Sequence, residues 1–375
     1  MAPARTTRGW PVVVRRVTAD DKADVLGFAT STWDGWDYIP SVFDGWVAAT
    51  DGVFLGILPG RAADGGLPRD ADGEPLDTER VIAIARVTFL SEEDAWIEGI
   101  RVDPRVRGMG IATDLQVAEL RWAAAHGARH VRYVTGQHNE GSHRLGARHG
   151  FEMLGAVRWY GRNDEDDADP PVAVTEDGGT GSADATVAAD LILDDDHGGA
   201  WWAAVAVDAT FQAAHRLYEP RSWALCGLTE DRFRALVAAR RVLVWPVGVT
   251  EPSAAPNGRW ALAIRRPGPE GEDDPSRPLS PALVAGDAGA VLDILRVIGS
   301  GRAGMPEVRL PDPDPPILRD GGAEAWTKAG WGPMPRTTHV FARDIDADHP
   351  VPEPDDAALL TYGEEPRRVA QPRRP

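Results

Sequence analysis

The chain has 375 residues, with 40 Lys plus Arg against 58 Asp plus Glu, a net charge of −18. That balance excludes a general polyanion binder, so no nucleic-acid partner is expected, while a hydrophobic content of 43% supplies buried cores for two or three domains. The single cysteine, Cys226, excludes a disulfide framework and any multi-cysteine metal site. The apolar patch at 10–14 is too short for a signal-peptide core. No apolar run approaches the ~18 residues of a transmembrane helix, so a cytoplasmic protein without a membrane partner is expected.

In chain order, residues 12–14 read as a strand and 19–29 as a helix with Val25 and Phe28 on one face. The aromatic and acidic segment from Trp33 to Pro40 reads as a loop. Residues 53–58, 81–89 and 95–102 read as strands rich in β-branched side chains, with 61–77 as a long acidic hairpin loop. Residues 111–126 place Ile111, Leu115, Ala118 and Trp122 at helical spacing, and Gly127 stops the helix. A strand at 130–135 precedes a helix at 139–149, with Asn139 as N-cap and Gly150 at its end. A last strand follows at 156–160. This order predicts an α/β domain over 1–160, a mixed central sheet with helices on both faces. Residues 161–185 are acidic and glycine-rich and read as a flexible linker. A second domain over 186–346 carries a helix at 288–298, a strand at 308–310, a helix at 323–329 and a strand at 338–342. A loop is expected at 267–281 and a glycine-rich connection at 299–304. The Pro- and charge-rich 347–375 reads as a loose tail.

The chemistry concentrates in the stretch from Ile100 to Thr113. A strand ends, a loop with Gly108 and Gly110 follows, and a helix opens at Ile111, Ala112 and Thr113. Glycines allow close backbone approach to a ligand, and a helix N-terminus favours an anion. Arg101, Arg105 and Arg107 add three positive charges to an otherwise acidic chain. Together they predict an anion cradle suited to a pyrophosphate. The loop is not a Walker sequence, because no Gly-Lys-Ser/Thr follows, and it lacks the third glycine of a dinucleotide fingerprint. His126, His130, His138, His143 and His149 cluster in sequence without a carboxylate pattern, so no metal is expected.

Arg105, Gly108 and Gly110 resemble the Arg/Gln-x-x-Gly-x-Gly/Ala acetyl-CoA signature of the GNAT N-acetyltransferase superfamily. Asn139, Ser142, Leu145, Gly150 and Phe151 resemble its second block, about 30 residues on. The resemblance covers about residues 12–160. It implies acetyl-CoA as cosubstrate, held by Ile100, Val102, Arg105, Arg107, Gly108, Gly110, Ile111, Ala112, Thr113, Asn139 and Ser142. It also implies transfer of acetyl to the primary amine of a small molecule, such as an amino acid. The second half then reads as a degenerate GNAT-like domain with a structural role, since its element order and Gly330-Trp331 step echo 139–160. Asp37, Tyr38, Pro40 and Trp46 further resemble the acceptor loop of a tandem-domain subgroup that includes histidine N-acetyltransferase-like proteins.

An amine must lose a proton before it attacks a thioester. Glu98, expected on the same strand face as Ile100 and Val102, is the candidate base. The family often places a tyrosine acid where this chain has Gly146; His143, Tyr133 and Tyr160 are the replacements. Asp34, Asp37, Tyr38 and Trp46 are the candidate acceptor residues, with aromatic walls and carboxylates suited to a cationic amine; a purely structural loop is the other reading. The rival functions are a non-catalytic acyl-CoA-binding module and a protein acetyltransferase.

Overall fold

The computed structural model describes residues 9–32, 35–162, 191–221, 223–266, 280–299, 307–353 and 358–360. The expected linker from residue 163 on, most of the 267–281 loop and nearly all of the 299–304 connection lie outside them, while Gly161 and Arg162, read as the linker's start, still belong to a strand. The chain divides into two compact units. Unit 1 gathers Met1–Tyr133, Asn139–Glu152 and Phe341–Pro375; unit 2 gathers Val134–His138 and Met153–Val340.

Unit 1 is built on strands β1 (Val12–Arg16), β2 (Gly52–Pro59), β3 (Ala83–Phe89), β4 (Asp94–Val102) and β5 (His130–Gly136, in this unit to Tyr133). Its helices are α1 (Lys22–Leu26), α2 (Ile39–Ala48), α3 (Ile111–Ala125) and α4 (Glu140–Arg148). The strands β1 to β4 run antiparallel in sequence order, and β4 pairs with β5 in parallel. The mixed sheet expected from the sequence is present. One face buries Val12, Leu55, Val87 and Ile97 against Ile111, Leu115, Ala118 and Trp122 of α3. The other buries Phe54 and Ile84 against Val25, Phe43 and Trp46 of α1 and α2. The fully buried stretch at 83–89 is that of a strand covered on both faces.

Two expectations change here. The helix read over 19–29 is a 3-10 turn followed by the short α1. Part of the tail is a strand: β14 (Ala358–Leu360) lies parallel to β1, with Val12 opposite Ala358 and Val14 opposite Leu360. Without it β1 would present an open row of backbone donors and acceptors.

Unit 2 contains α5 (Gly198–Val207), α6 (Ala209–Ala213), α7 (Glu230–Ala238), α8 (Ala288–Gly299) and α9 (Gly322–Lys328). In it β6 (Glu152–Arg162, from Met153) pairs antiparallel with β12 (Val308–Asp312). Strands β7 (Leu217–Arg221) and β8 (Ala224–Gly227) form a hairpin. Strands β9 (Val242–Trp245), β10 (Ala261–Arg265) and β11 (Pro281–Gly286) form an antiparallel sheet. The long β13 (Trp331–Asp344) begins seven residues before the strand expected there. Its core joins Val284, Val291, Leu295, Val308 and Leu310 to Trp326 and Trp331. His197 lies in a 3-10 turn, and Trp201 and Trp202 are buried packing residues.

Candidate active site

The cradle loop is held from below. The Asp103 side chain accepts the Arg105 N–H at 2.9 Å and pairs with its guanidinium at 2.7 Å. Burial alone raises the Asp103 carboxyl, but these Arg105 bonds outweigh it and hold it below the usual carboxylate range. Arg107 is exposed and donates to the Val102 carbonyl at 3.2 Å. Gly108 and Gly110 have φ of 79° and 83°, a left-handed backbone that only glycine adopts without strain. Gly110 is the N-cap of α3, and its carbonyl accepts the Thr113 and Asp114 N–H groups. Among the described residues, the N–H groups of Gly108, Gly110, Ile111 and Ala112 donate to no protein acceptor. A Cβ on Gly108 would enter open space. Arg148 of α4 donates to Thr113 Oγ1 at 3.1 Å, placing a further cation beside the helix start. A row of backbone donors at the positive end of a 15-residue helix, with Arg105, Arg107 and Arg148 around it, fits a pyrophosphate.

Beside the cradle, the β4–β5 ladder stops early. Asp94 pairs with His130, Ala95 with Val131 and Trp96 with Arg132, and Arg132 forms an ion pair with Asp94. From Ile97 to Val102, β4 continues without pairing to β5. Its side toward β5 therefore carries backbone donors and acceptors that an amide-bearing chain such as pantetheine can use.

The strand face containing Glu98 differs from the expectation. The β3–β4 register shifts between Ile84/Arg101 and Arg86/Glu98, and Gly99 has φ of 75°. This bulge puts Glu98 and Arg101 opposite Arg86 and Ile84, on the α1–α2 face, while Ile100 and Val102 pack on the α3-side core. Period-two counting across residue 99 fails because the extra residue reverses the alternation. Trp46 fills the space over Gly99, where a Cβ would lie 2.6 Å from its ring.

The acceptor-loop residues are also placed differently. Asp34 lies outside the described residues. Asp37 is buried, and it accepts from Arg101 Nε at 2.7 Å, Arg101 Nη2 at 3.1 Å, the Ile39 N–H at 3.0 Å and the Thr32 hydroxyl. Burial raises its carboxyl, but the Arg101, Thr32 and Ile39 bonds outweigh that and hold it low. Its oxygens are thus occupied within the protein, and Asp37 does not offer a carboxylate to a cationic acceptor. Arg101 is correspondingly not part of the cradle: it lies 5.2 Å from the Tyr38 ring centroid, and Tyr38 packs edge-on to Trp46 at 6.0 Å. Burial, then Glu98, raises the Tyr38 hydroxyl. The half-buried Glu98 thus stands beside a wall made by Tyr38, Trp46 and the Arg101–Asp37 pair.

On α4, the Asn139 side chain accepts the Ser142 N–H at 3.2 Å, as the capping pattern predicts. His143 is half-buried, with its ring 5.2 Å from Phe341. The gap at Gly146 is occupied by Tyr133 of β5. A Cβ on Gly146 would collide with the Tyr133 hydroxyl, which donates to the Ser142 carbonyl at 3.2 Å. Tyr133 is stacked on Phe341 at 5.0 Å. Glu119 of α3, given no role by the sequence, is fully buried, and neither of its oxygens has a hydrogen-bond partner among the described residues.

The geometry defines an α/β domain with a backbone cradle, at the start of α3, of the shape and polarity that a pyrophosphate needs. Residues 40–151 match the family model described as Acetyltransferase (GNAT) family. The chain is an acyltransferase, and acetyl-CoA-dependent acetyl transfer is its class of chemistry. No curated protein matches it. It is similar in structure to a GCN5-related N-acetyltransferase from Sphaerobacter thermophilus, with 16% identity over 93% of this chain and 98% of that one, TM-score 0.48. It is also similar to one from Kribbella flavida, with 15% identity over 91% and 73%, TM-score 0.40. The ribosomal-protein-S18-alanine N-acetyltransferase from Escherichia coli is 12% identical over 39% of this chain and 81% of that one, TM-score 0.31. These identities are too low to transfer an acceptor.

Proposed function

We propose that this protein transfers acetyl from acetyl-CoA to the primary amine of a small molecule, with Glu98 as general base. The observation that carries the reading is the set of N–H groups of Gly108, Gly110, Ile111 and Ala112, which donate to no acceptor among the described residues, beside the run of β4 that does not pair with β5. The pyrophosphate would meet those N–H groups with Arg105 and Arg107, and pantetheine would follow β4 toward Glu98. Bound acetyl-CoA supplies an activated acyl carbon. Glu98 takes the proton of the incoming ammonium, directly or through water, so that the amine lone pair can attack. The C–S bond breaks with its electron pair on sulfur, and the departing thiolate needs one proton to leave as free thiol. The Tyr133 hydroxyl stands in the space left by Gly146 and, with His143, is the candidate to return it. That filled gap favours catalysis over a module that only binds acyl-CoA. The cover of Tyr38, Trp46 and the Arg101–Asp37 pair leaves Glu98 half-buried, which suits a small amine better than a folded protein surface.

The test follows free-thiol release from acetyl-CoA with a panel of amino acids, polyamines and a short peptide. Turnover with at least one small amine, above that with the peptide, is the expected result. Acetyl-CoA binding without turnover on any amine would leave the binding-module reading in its place.

A further inference from the structure

The face of unit 1 that carries Glu98 also carries three arginines. Trp96 and Glu98 share one side of β4, because side chains alternate along a strand. The parallel β4–β5 register sets Arg132 beside Trp96, on that same side. The β3–β4 register sets Arg86 opposite Glu98, and the bulge at Gly99 turns Arg101 to the same side. Three guanidinium groups therefore stand on the face of the candidate base.

Each of the three has an acid of its own. Arg101 spends Nε and Nη2 on Asp37, and its Nη1 donates to the Ile100 carbonyl at 3.1 Å. Arg86, 1% exposed, is paired with Asp51 and donates from Nε to Thr88 Oγ1 at 3.2 Å. Arg132 is paired with the buried Asp94. Farther out, Arg15, Lys22 and Arg80 are paired with Asp21, Asp44 and Asp24. Glu98 is thus a fourth carboxylate against three arginines, and among the described residues of this face every cation already has its acid. A substrate carboxylate brought here would lose hydration without gaining a cation, and Glu98 would repel it. An ammonium group meets the opposite balance. The wall beside Glu98 is aromatic, from Tyr38 and Trp46 in edge-on contact, and two residues before Tyr38 the Trp36 side chain is 61% exposed. Such rings suit a flat apolar body.

Building on the reading of Glu98 as general base, we propose that the acceptor is an arylalkyl primary amine that carries no carboxylate, and not an amino acid. Its ammonium is drawn to Glu98, and its ring lies against Tyr38 and Trp46. One ammonium proton goes to Glu98, and the nitrogen lone pair forms the bond to the acetyl carbon. The C–S bond breaks with its pair on sulfur; a second proton leaves the nitrogen as the amide forms, and one enters the thiolate. The cation that enters leaves as a neutral amide, which the acidic face no longer attracts.

The probes are phenethylamine, L-phenylalaninol, L-phenylalanine and ethylamine, each given to the full chain with acetyl-CoA while free thiol is followed. Phenethylamine should exceed both phenylalanine and ethylamine at least tenfold in kcat/KM. Phenylalaninol, which replaces the carboxylate of phenylalanine by a neutral hydroxymethyl group of similar size, should also exceed phenylalanine at least tenfold. In Glu98→Gln all rates should fall, and the phenylalaninol-to-phenylalanine ratio should narrow at least threefold, because one repelling charge is gone. Phenylalanine turned over as well as phenylalaninol, or a ratio that does not narrow in Glu98→Gln, overturns the proposal and leaves acetyl transfer to an amine standing. Ethylamine matching phenethylamine overturns the aryl body. Acetyl-CoA binding without thiol release on any of the four, or on the wider amine panel, removes the proposed activity and this acceptor with it.

Discussion

Glu119 gives the most quantitative test of the fold around the site. Its carboxyl, on the buried face of α3, is completely buried, with neither oxygen hydrogen-bonded among the described residues. Burial first, and then the neighbouring Glu98 charge, raises its pKa well above the carboxylate range. The folded protein therefore keeps the proton that the unfolded chain gives up. Below the unfolded value both states are protonated and the group adds no pH dependence. As pH rises above it, stability falls by about 1.4 kcal/mol per pH unit until the folded value is reached. Glu119→Gln removes this slope but keeps buried polar atoms. Glu119→Leu removes the slope and also the unsatisfied oxygens, whose burial costs about 1–3 kcal/mol. Urea unfolding between about pH 5 and pH 8 should give both variants a flatter stability profile than wild type, with Leu the more stable of the two and its advantage over wild type growing with pH. A wild-type slope in both variants, or equal destabilisation by Leu at every pH, would mean that Glu119 is solvated or ionised in the folded state.

Asp37→Asn should lower the melting temperature and impair all acceptors alike, because breaking the buried Asp37–Arg101 pair costs about 3–5 kcal/mol. The Asp37 contribution to stability is present above the unfolded carboxylate pKa and is lost as pH falls through the lowered folded value, so acid should narrow the gap between variant and wild type. Gly146→Ala should displace Tyr133 and reduce both stability and turnover. Adding Tyr133→Phe should restore part of the stability but not the turnover, which a double-mutant cycle measures. Glu98→Gln should lower turnover roughly 10²-fold and make it rise more steeply with alkaline pH, with acetyl-CoA affinity retained; an unchanged pH–rate profile would place the base elsewhere.

The parts legible in the sequence were those fixed by local backbone demands. Gly108 and Gly110 mark a left-handed turn before an apolar-periodic helix, and Asn139 three residues before Ser142 marks a cap. The parts not legible depend on partners distant in the chain. Asp37 and Arg101 are 64 residues apart, and nothing near either announces the pair that removes both from ligand binding. Tyr133 and Gly146 belong to different elements, so the small residue could be read as a missing acid but not as room for another side chain. Two signals were available. Gly99 inside a strand pattern points to a bulge, and that bulge moves Glu98 off the face of Ile100. Glu119 follows Leu115 by four residues on a helix, which places it on the buried stripe. The apolar Ala358-Leu359-Leu360 triplet was likewise the mark of the added strand in the tail.

The central claim is that the Gly108–Ala112 backbone receives the pyrophosphate of acetyl-CoA. Calorimetric titration of acetyl-CoA into wild type and Gly108→Ala, with circular dichroism to check folding, tests it most directly. The added methyl group points into space that is open in the protein, and the left-handed backbone disfavours it by about 1–2 kcal/mol. The account predicts binding by wild type and a loss of at least tenfold in the folded variant. Equal affinity in the two proteins would contradict it.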